Sequence, residues 1–383
     1  MNDSKSFDVV FNCSINVIGG GVQNAVNFIR HTIKNNGYGL SWFYILSAQV
    51  YEQLKNELSF GEYQVFEMTP AKSPAARSAL VNLVKKINPA VVYTSAGPTY
   101  VKFSVPHIMG CSNPYVLGAS DYAYKLYGNK LVQLKRRALS FYQRQKIKLA
   151  DEWIAQTEAS SISLKKIVGS DKCIHIVHNA ISEHFLNYFE NINCNELTSH
   201  SYQNEISVLV PTAYYKHKDI EKIPLMISRL SQRYTKKFTV VFTIKENDVY
   251  DEILNSAKKL GVDAYIKNIG GFHHNKALEL YLAHDIILQP SVLEVFSTSY
   301  IEAMATLKPL VVPRFDFSTS ICGDYAWFYD CHDMDSYVEA MYRAFMDYDS
   351  LSRYQRAETI LRKYGSQQER TLRIVNIIKA FMG

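Results

Sequence analysis

The stretch Gln289-Pro290-Ser291-Val292-Leu293-Glu294-Val295-Phe296-Ser297-Thr298-Ser299-Tyr300-Ile301-Glu302-Ala303-Met304 decides how this chain is read. An apolar run at Asp285–Gln289 leads into it and predicts a strand; the spacing after Ser297 predicts a helix. Glu294 closes the loop between the two, and Glu302 falls about one turn inside the helix. Ser297, Thr298 and Ser299 mark the helix start, where unpaired backbone N–H groups and the positive dipole end suit a phosphate. A carboxylate on each side suits hydroxyl donors. An anion site flanked by hydroxyl acceptors is what a nucleotide sugar requires.

The same strand-then-helix rhythm runs outward in both directions. Short apolar runs at Phe7–Asn12, Ser41–Leu46, Ala90–Thr94, His107–Met109, Glu152–Gln156 and Cys173–Val177 predict strands of one parallel sheet, with helices between them. A second series, Ile206–Val210, Phe238–Ile244, Ala264–Ile269, Asp285–Gln289 and Leu310–Pro313, predicts another. Between the series, Glu183–Glu205 turns rich in Asn, Ser and His and reads as a connection with one short helix. From about Asp335 the chain reads as helix almost throughout. The division expected is 1–182 as a first Rossmann-like domain, 183–204 as a linker, 205–365 as a second Rossmann-like domain and 366–383 as a closing helix. The 383 residues suffice for two such domains. In doubly wound sheets ligands bind beyond the carboxyl ends of the strands, and the candidate motifs fall at strand ends.

Composition excludes several classes. The chain is 47% hydrophobic and 20% charged, globular values. No apolar run approaches the roughly 18 residues of a membrane span. No basic segment followed by an apolar core opens the sequence, so no signal peptide is expected. The six cysteines form no C-x-x-C pair, which suits reduced thiols in a cytoplasmic protein. The net charge of +6 is carried by the first half. Residues 122–150 hold Lys125, Lys130, Lys135, Arg136, Arg137, Arg144, Lys146 and Lys148 and no acid, with Leu131, Leu134, Ala138, Phe141 and Tyr142 at helical spacing. A solvated helix face and a surface for anionic lipid or an anionic substrate both fit that pattern. No nucleic-acid motif accompanies it.

Further motifs follow the predicted strands. Gly19-Gly20-Gly21 comes after the first, where glycine lets a backbone approach a ligand and the next helix start can face an anion. The spacing is not a dinucleotide fingerprint, since Asn24 stands where the third glycine would. His107 sits near the start of a short strand. Lys216 and Lys218 follow the first strand of the second series, where a lysine can neutralise a diphosphate. The sequence shows no zinc-ligand cluster. Asp333-Met334-Asp335 and Asp347-Tyr348-Asp349 match a metal-binding D-x-D pattern but lie in the helical part, and no essential metal or cofactor is expected.

Taken in order, these motifs resemble the retaining glycosyltransferases of the GT-B fold, in the large family-four group. The glycine loop, His107, Trp153-Ile154-Ala155-Gln156-Thr157-Glu158, His178-Asn179-Ala180-Ile181, Lys218 and the Glu294–Glu302 pair all contribute. The resemblance implies two Rossmann-like domains facing across a cleft, with Gln367–Phe381 crossing back onto the first. It implies that Glu294 holds hydroxyls of the donor sugar and Glu302 the ribose. Lys218 would stabilise the leaving diphosphate, and His107 would orient the donor sugar. The N–H groups of Ser297, Thr298 and Ser299, together with Gly20, Gly21 and Phe296, would contact the donor, and Gly271-Phe272 would lie in the base-binding loop. Three departures stand out: Glu294-Val295-Phe296-Ser297 replaces Glu-Gly-Phe-Gly, Ala180 replaces glycine, and the arginine before the lysine is missing, leaving Lys216 to take its place.

The function implied is transfer of a sugar, most simply from a UDP-sugar, to a glycan or lipid-linked acceptor of a surface polysaccharide on the cytoplasmic membrane face. A GT-B epimerase would need a base at the sugar, and a non-catalytic binding relative would not need an intact Glu294, Glu302 and Lys218.

Overall fold

The computed structural model describes residues 6–59, 61–197, 205–245 and 248–383. Two compact units divide the chain. One comprises residues 1–119, 131–180 and 366–383; the other comprises 120–130 and 181–365.

The first unit holds a seven-stranded parallel sheet: β1 (Val9–Cys13), β2 (Trp42–Ser47), β3 (Tyr63–Phe66), β4 (Val91–Thr94), β5 (His107–Gly110), β6 (Glu152–Ala155) and β7 (Ile174–Ile176), in the order β3-β2-β1-β4-β5-β6-β7. The reversal of direction at β1 is the doubly wound pattern, and β1, β2 and β4 are buried along their whole length because helices cover both faces. One face packs Val9, Phe11 and Tyr93 against Val22, Val26 and Ile29 of the helix Gly19–Lys34. Ile374, Val375 and Ile378 of the helix Gln367–Met382 join the same cluster, so this late segment completes a core begun by the first strand. Each such side chain contributes on the order of 1.5–3 kcal/mol by leaving water. A capping box between Ser366 and Glu369 starts that helix. Gly110 ends β5 under the Ser95 carbonyl, where any Cβ would collide.

The second unit repeats the plan with six parallel strands: β8 (Ile206–Val210), β9 (Phe238–Phe242), β10 (Ile266–Asn268), β11 (Ile286–Leu288), β12 (Leu310–Pro313) and β13 (Trp327–Tyr329), ordered β10-β9-β8-β11-β12-β13. One of its cores lies under the helix Thr298–Ala305, whose Tyr300, Ile301, Met304 and Ala305 are fully buried with Phe185, Tyr281 and Tyr325.

Sequence periodicity missed two strands, β3 and β13. Both lie at sheet edges and are short. Tyr63–Phe66 has no fully buried residue, and so shows none of the continuous apolar character that marks a central strand. The connection after residue 182 opens with the helix Glu183–Glu190, which belongs to the second unit; its later part, 198–204, lies outside the described residues. Residues 120–130, read from sequence as part of the first domain, pack within the second unit.

Candidate active site

In the second unit, two loops at the carboxyl edge of the sheet are stitched together. After β8 the chain passes through Pro211–Tyr214 into a single 3-10 turn at Lys216–Lys218. Thr243 anchors the exit, donating its hydroxyl to the Val210 carbonyl at 3.1 Å and accepting from the Thr212 N–H at 3.0 Å. After β11, the Val292 N–H donates to the His217 carbonyl at 2.8 Å. That bond brings Lys218 to Glu294, and the lysine Nζ donates to Glu294 Oε1 at 2.5 Å. Both side chains are largely shielded, at 13% and 14% exposure, so this is a sheltered ion pair, not a surface one.

The helix Thr298–Ala305 begins three residues beyond Val295. Ser297 is its N-cap, and its side chain makes no capping bond. Among the first N–H groups, that of Tyr300 returns to the Ser297 carbonyl, while those of Thr298 and Ser299 precede the helical ladder. Glu302 follows just over one turn later and is buried. Burial pushes its carboxyl up to about 7, and the Tyr281 hydroxyl beside it works the other way. Gln289 is buried beneath the loop and donates to the Ser299 hydroxyl at 3.3 Å. Phe296 turns its ring into the core against Tyr364, at 5.4 Å between centroids. It braces the loop, and its ring is not available to a ligand.

Lys216 does not stand beside Lys218 as a second free cation. Its Nζ donates to Glu221 at 3.0 Å and lies over the Tyr214 ring, and Tyr214 also donates to Glu221, at 2.7 Å. Gly271 and Phe272 occupy the exposed loop after β10, which opens with Gly270 at a φ of 74°. A network absent from the sequence reading supports the Lys218 turn from below. Asp219 adopts a φ of 48°, and its buried carboxylate accepts from the Tyr122 hydroxyl at 2.6 Å and faces Lys222 at 3.6 Å. Burial raises the Asp219 carboxyl to about 6, against the pull of Tyr122 and Lys222. Tyr122 lies 97 residues away in sequence, so no local motif could have announced it.

In the first unit, Gly20 and Gly21 form the first turn of the helix Gly19–Lys34, with Gly19 at a φ of 59°. Asn16 donates its amide to the Gly21 carbonyl at 2.7 Å. His107 is a correction. It is the first residue of β5, at the amino end of the strand, and is 1% exposed. Its Nε2 lies 2.9 Å from the Thr94 hydroxyl, and its ring meets Phe103 edge-on. Burial lowers its pKa to about 3, so the ring is neutral at working pH. Position and burial make it a packing residue, since ligands of doubly wound sheets gather at the opposite end of the strands. Both D-x-D matches have structural work: Asp333 and Asp349 cap helices, and Asp347 pairs with the buried Arg353 at 2.5 Å.

Two doubly wound parallel units with a returning C-terminal helix define the GT-B fold. Solved structures agree across nearly the whole chain. A glycosyltransferase from Rickettsia africae matches at 15% identity and a TM-score of 0.69, covering 99% of each chain. HepE of Anabaena, in complex with UDP and glucose, matches at 13% and 0.68, covering 98% of this chain and 100% of its own. The lipopolysaccharide outer core galactosyltransferase WaaB matches at 13% and 0.65, covering 97% and 99%. No curated protein sequence matches. The sequence profile of the family "Glycosyl transferases group 1" matches residues 198–359, which include Lys218, Glu294 and Glu302. The matched segment makes up most of the second unit, and the activity it carries is that of a glycosyltransferase that takes its sugar from a nucleotide sugar.

Proposed function

We propose that this glycosyltransferase moves a sugar from a UDP-sugar, with retention of anomeric configuration, onto a glycan or lipid-linked saccharide at an anionic membrane surface. The observation that carries the donor reading is the Lys218–Glu294 pair set directly before the helix Thr298–Ala305. The pair separates when a donor binds. Glu294 accepts hydroxyl hydrogens of the sugar, and Lys218 meets the diphosphate as negative charge builds on it. The Thr298 and Ser299 N–H groups face the same anion, and Glu302 accepts from the ribose. The acceptor oxygen attacks C1 on the face from which the phosphate departs. The C1–phosphate oxygen bond breaks, the C1–acceptor bond forms, and the acceptor proton passes to the leaving phosphate. The protein contributes orientation and charge stabilisation, and no side-chain base is required. The likeness to HepE with UDP and glucose, and to WaaB, supports the donor and acceptor classes. Incubation with UDP- and GDP-sugars tests the reading: slow release of UDP without acceptor is expected, whereas sugar interconversion would replace it with an epimerase.

The membrane reading rests on the helix Lys130–Ile147. Of its 18 residues only Ser140 and Ile147 are buried. Leu131, Leu134 and Phe141 are each about 60% exposed and fall on one stripe with Ala138, between basic flanks that include Lys130, Lys135 and Arg137. That is the pattern of a helix lying in a lipid interface. Among the described residues no helix is long and apolar enough to cross a membrane. Replacing Lys135, Arg136 and Arg137 with glutamine is expected to weaken co-sedimentation with anionic liposomes, at about 1 kcal/mol per charge. Unchanged co-sedimentation would remove this helix as the contact.

A further inference from the structure

In the first unit, away from the residues assigned to the donor, three side chains of different chemistry converge on a point. β6 and β7 pair with Trp153 opposite Ile174 and Ile154 opposite His175, which sets Glu152 opposite Cys173. Alternate strand residues share a face, so Glu152, Cys173 and His175 project from the same side. His175 Nε2 lies 2.6 Å from Glu152 Oε2 and 3.4 Å from Cys173 Sγ. A histidine that relays a proton uses its two ring nitrogens on two partners. Here the thiol and the carboxylate meet at the same nitrogen, which can give its one proton to only one of them. Such convergence is what a ligand set looks like around a shared ion.

The donor set is one thiol sulfur, one imidazole nitrogen and one carboxylate oxygen, all within 4.8 Å of one another. Zinc takes these three, at about 2.3 Å for sulfur and 2.0–2.2 Å for nitrogen and oxygen, so tetrahedral neighbours stand roughly 3.5 Å apart. The Sγ–Nε2 separation already has that length. Glu152 need only swing off the ring nitrogen. Its carboxylate and the imidazole are about a quarter exposed and Cys173 is exposed, which gives an ion a way in and leaves a fourth position for water. A cation takes the sulfur as thiolate, and its own charge beside Cys173 favours that form. The second convergent group, Asp330-Cys331-His332, is a poorer site, because the Lys222 ammonium already sits on the Cys331 carbonyl at 2.6 Å.

We propose that Glu152, Cys173 and His175 bind a divalent transition-metal ion of the zinc type, which ties the edge strand of the first sheet to its neighbour. Binding exchanges the thiol proton for the metal: the S–H bond breaks, the sulfur–metal bond forms and the proton leaves to solvent. The site opens β6 at its amino end, so it acts on the stability of the strand and not on sugar transfer.

The test is a cobalt titration of the full chain, free of any polyhistidine tag and stripped with chelator. One equivalent is expected to bind with a near-ultraviolet thiolate-to-cobalt charge-transfer band. Cys173→Ser abolishes the band, His175→Ala weakens binding roughly tenfold or more, and Cys194→Ser, at an exposed thiol outside the cluster, leaves it intact. Zinc displaces the cobalt and raises the melting temperature of the parent chain but not of Cys173→Ser, whose metal-free melt matches the parent. Absence of saturable binding below millimolar cobalt overturns the proposal. So does a band that survives Cys173→Ser, or one lost in Cys331→Ser instead.

Discussion

The two units share one topology and differ in what they place at the carboxyl edges of their sheets. The second gathers charge there: Lys218 against Glu294, with Glu302 buried one turn into the adjoining helix. The first presents the turn at Gly19–Gly21 and keeps its notable histidine at the other end, neutral and buried in β5. An exposed helix, Lys130–Ile147, carries a run of its cations. The difference teaches that one sheet order can serve two tasks, because the strands fix only where loops end. Loop residues decide whether an edge holds an anion or offers a surface.

Glu294→Ala tests the contrast most severely. Transfer is expected to fall by about two to three orders of magnitude or more, with the circular dichroism spectrum unchanged; near-native turnover would falsify the assignment of the second unit as the donor half. Glu302→Gln should separate binding from stability. Nucleotide affinity is expected to drop roughly tenfold to a hundredfold, about 1–3 kcal/mol. Stability moves oppositely. Burial shifts this carboxyl from 4.5 to about 7, so the folded state holds the proton more tightly. Stability is therefore lost as pH rises from about 4.5 towards 7, and the penalty is full above that, on the order of 3 kcal/mol. Glu302→Gln should melt higher than the parent at pH 8 and alongside it near pH 4. Melting curves that do not diverge with pH would mean that Glu302 is not the buried acid described.

His107→Ala sharpens the contrast from the other side. It leaves a cavity and takes the imidazole from the Thr94 hydroxyl, which keeps only the longer bond from Asn12 at 3.4 Å, so unfolding should ease by about 1–3 kcal/mol while kcat stays within a few-fold of the parent. A collapse of kcat in a protein that melts normally would return His107 to the chemistry. Smallest of all, Tyr122→Phe removes the hydroxyl that holds Asp219. A several-fold rise in the donor KM is expected as the Lys218 turn loosens, about 1 kcal/mol, and an unaltered KM would show the turn to be held without it.

Residue patterns carried most of this architecture. β8 and β12 fall where continuous apolar runs place them, because a strand buried on both faces must be apolar throughout. The helix start at Thr298 was legible for the same local reason. What stayed hidden depended on distance. The Tyr122–Asp219 bond joins residues of different sequence regions. The Glu152–Cys173–His175 cluster exists only through the register of β6 on β7, with Glu152 and His175 23 positions apart. The histidine misled because a strand residue at the amino end and one at the carboxyl end look alike until direction and depth are known.

The helix Gln367–Met382 has a consequence for how the chain is made. Its Ile374, Val375 and Ile378 complete a core whose other members include Val9, Phe11 and Val22, yet it leaves the ribosome after every residue of the second unit. Domains ordinarily fold in the order of synthesis. Here the unit begun first is finished second: its sheet waits with one apolar flank open while the later unit closes. The interval between the two closures is when the nascent chain is most exposed to aggregation and to chaperones.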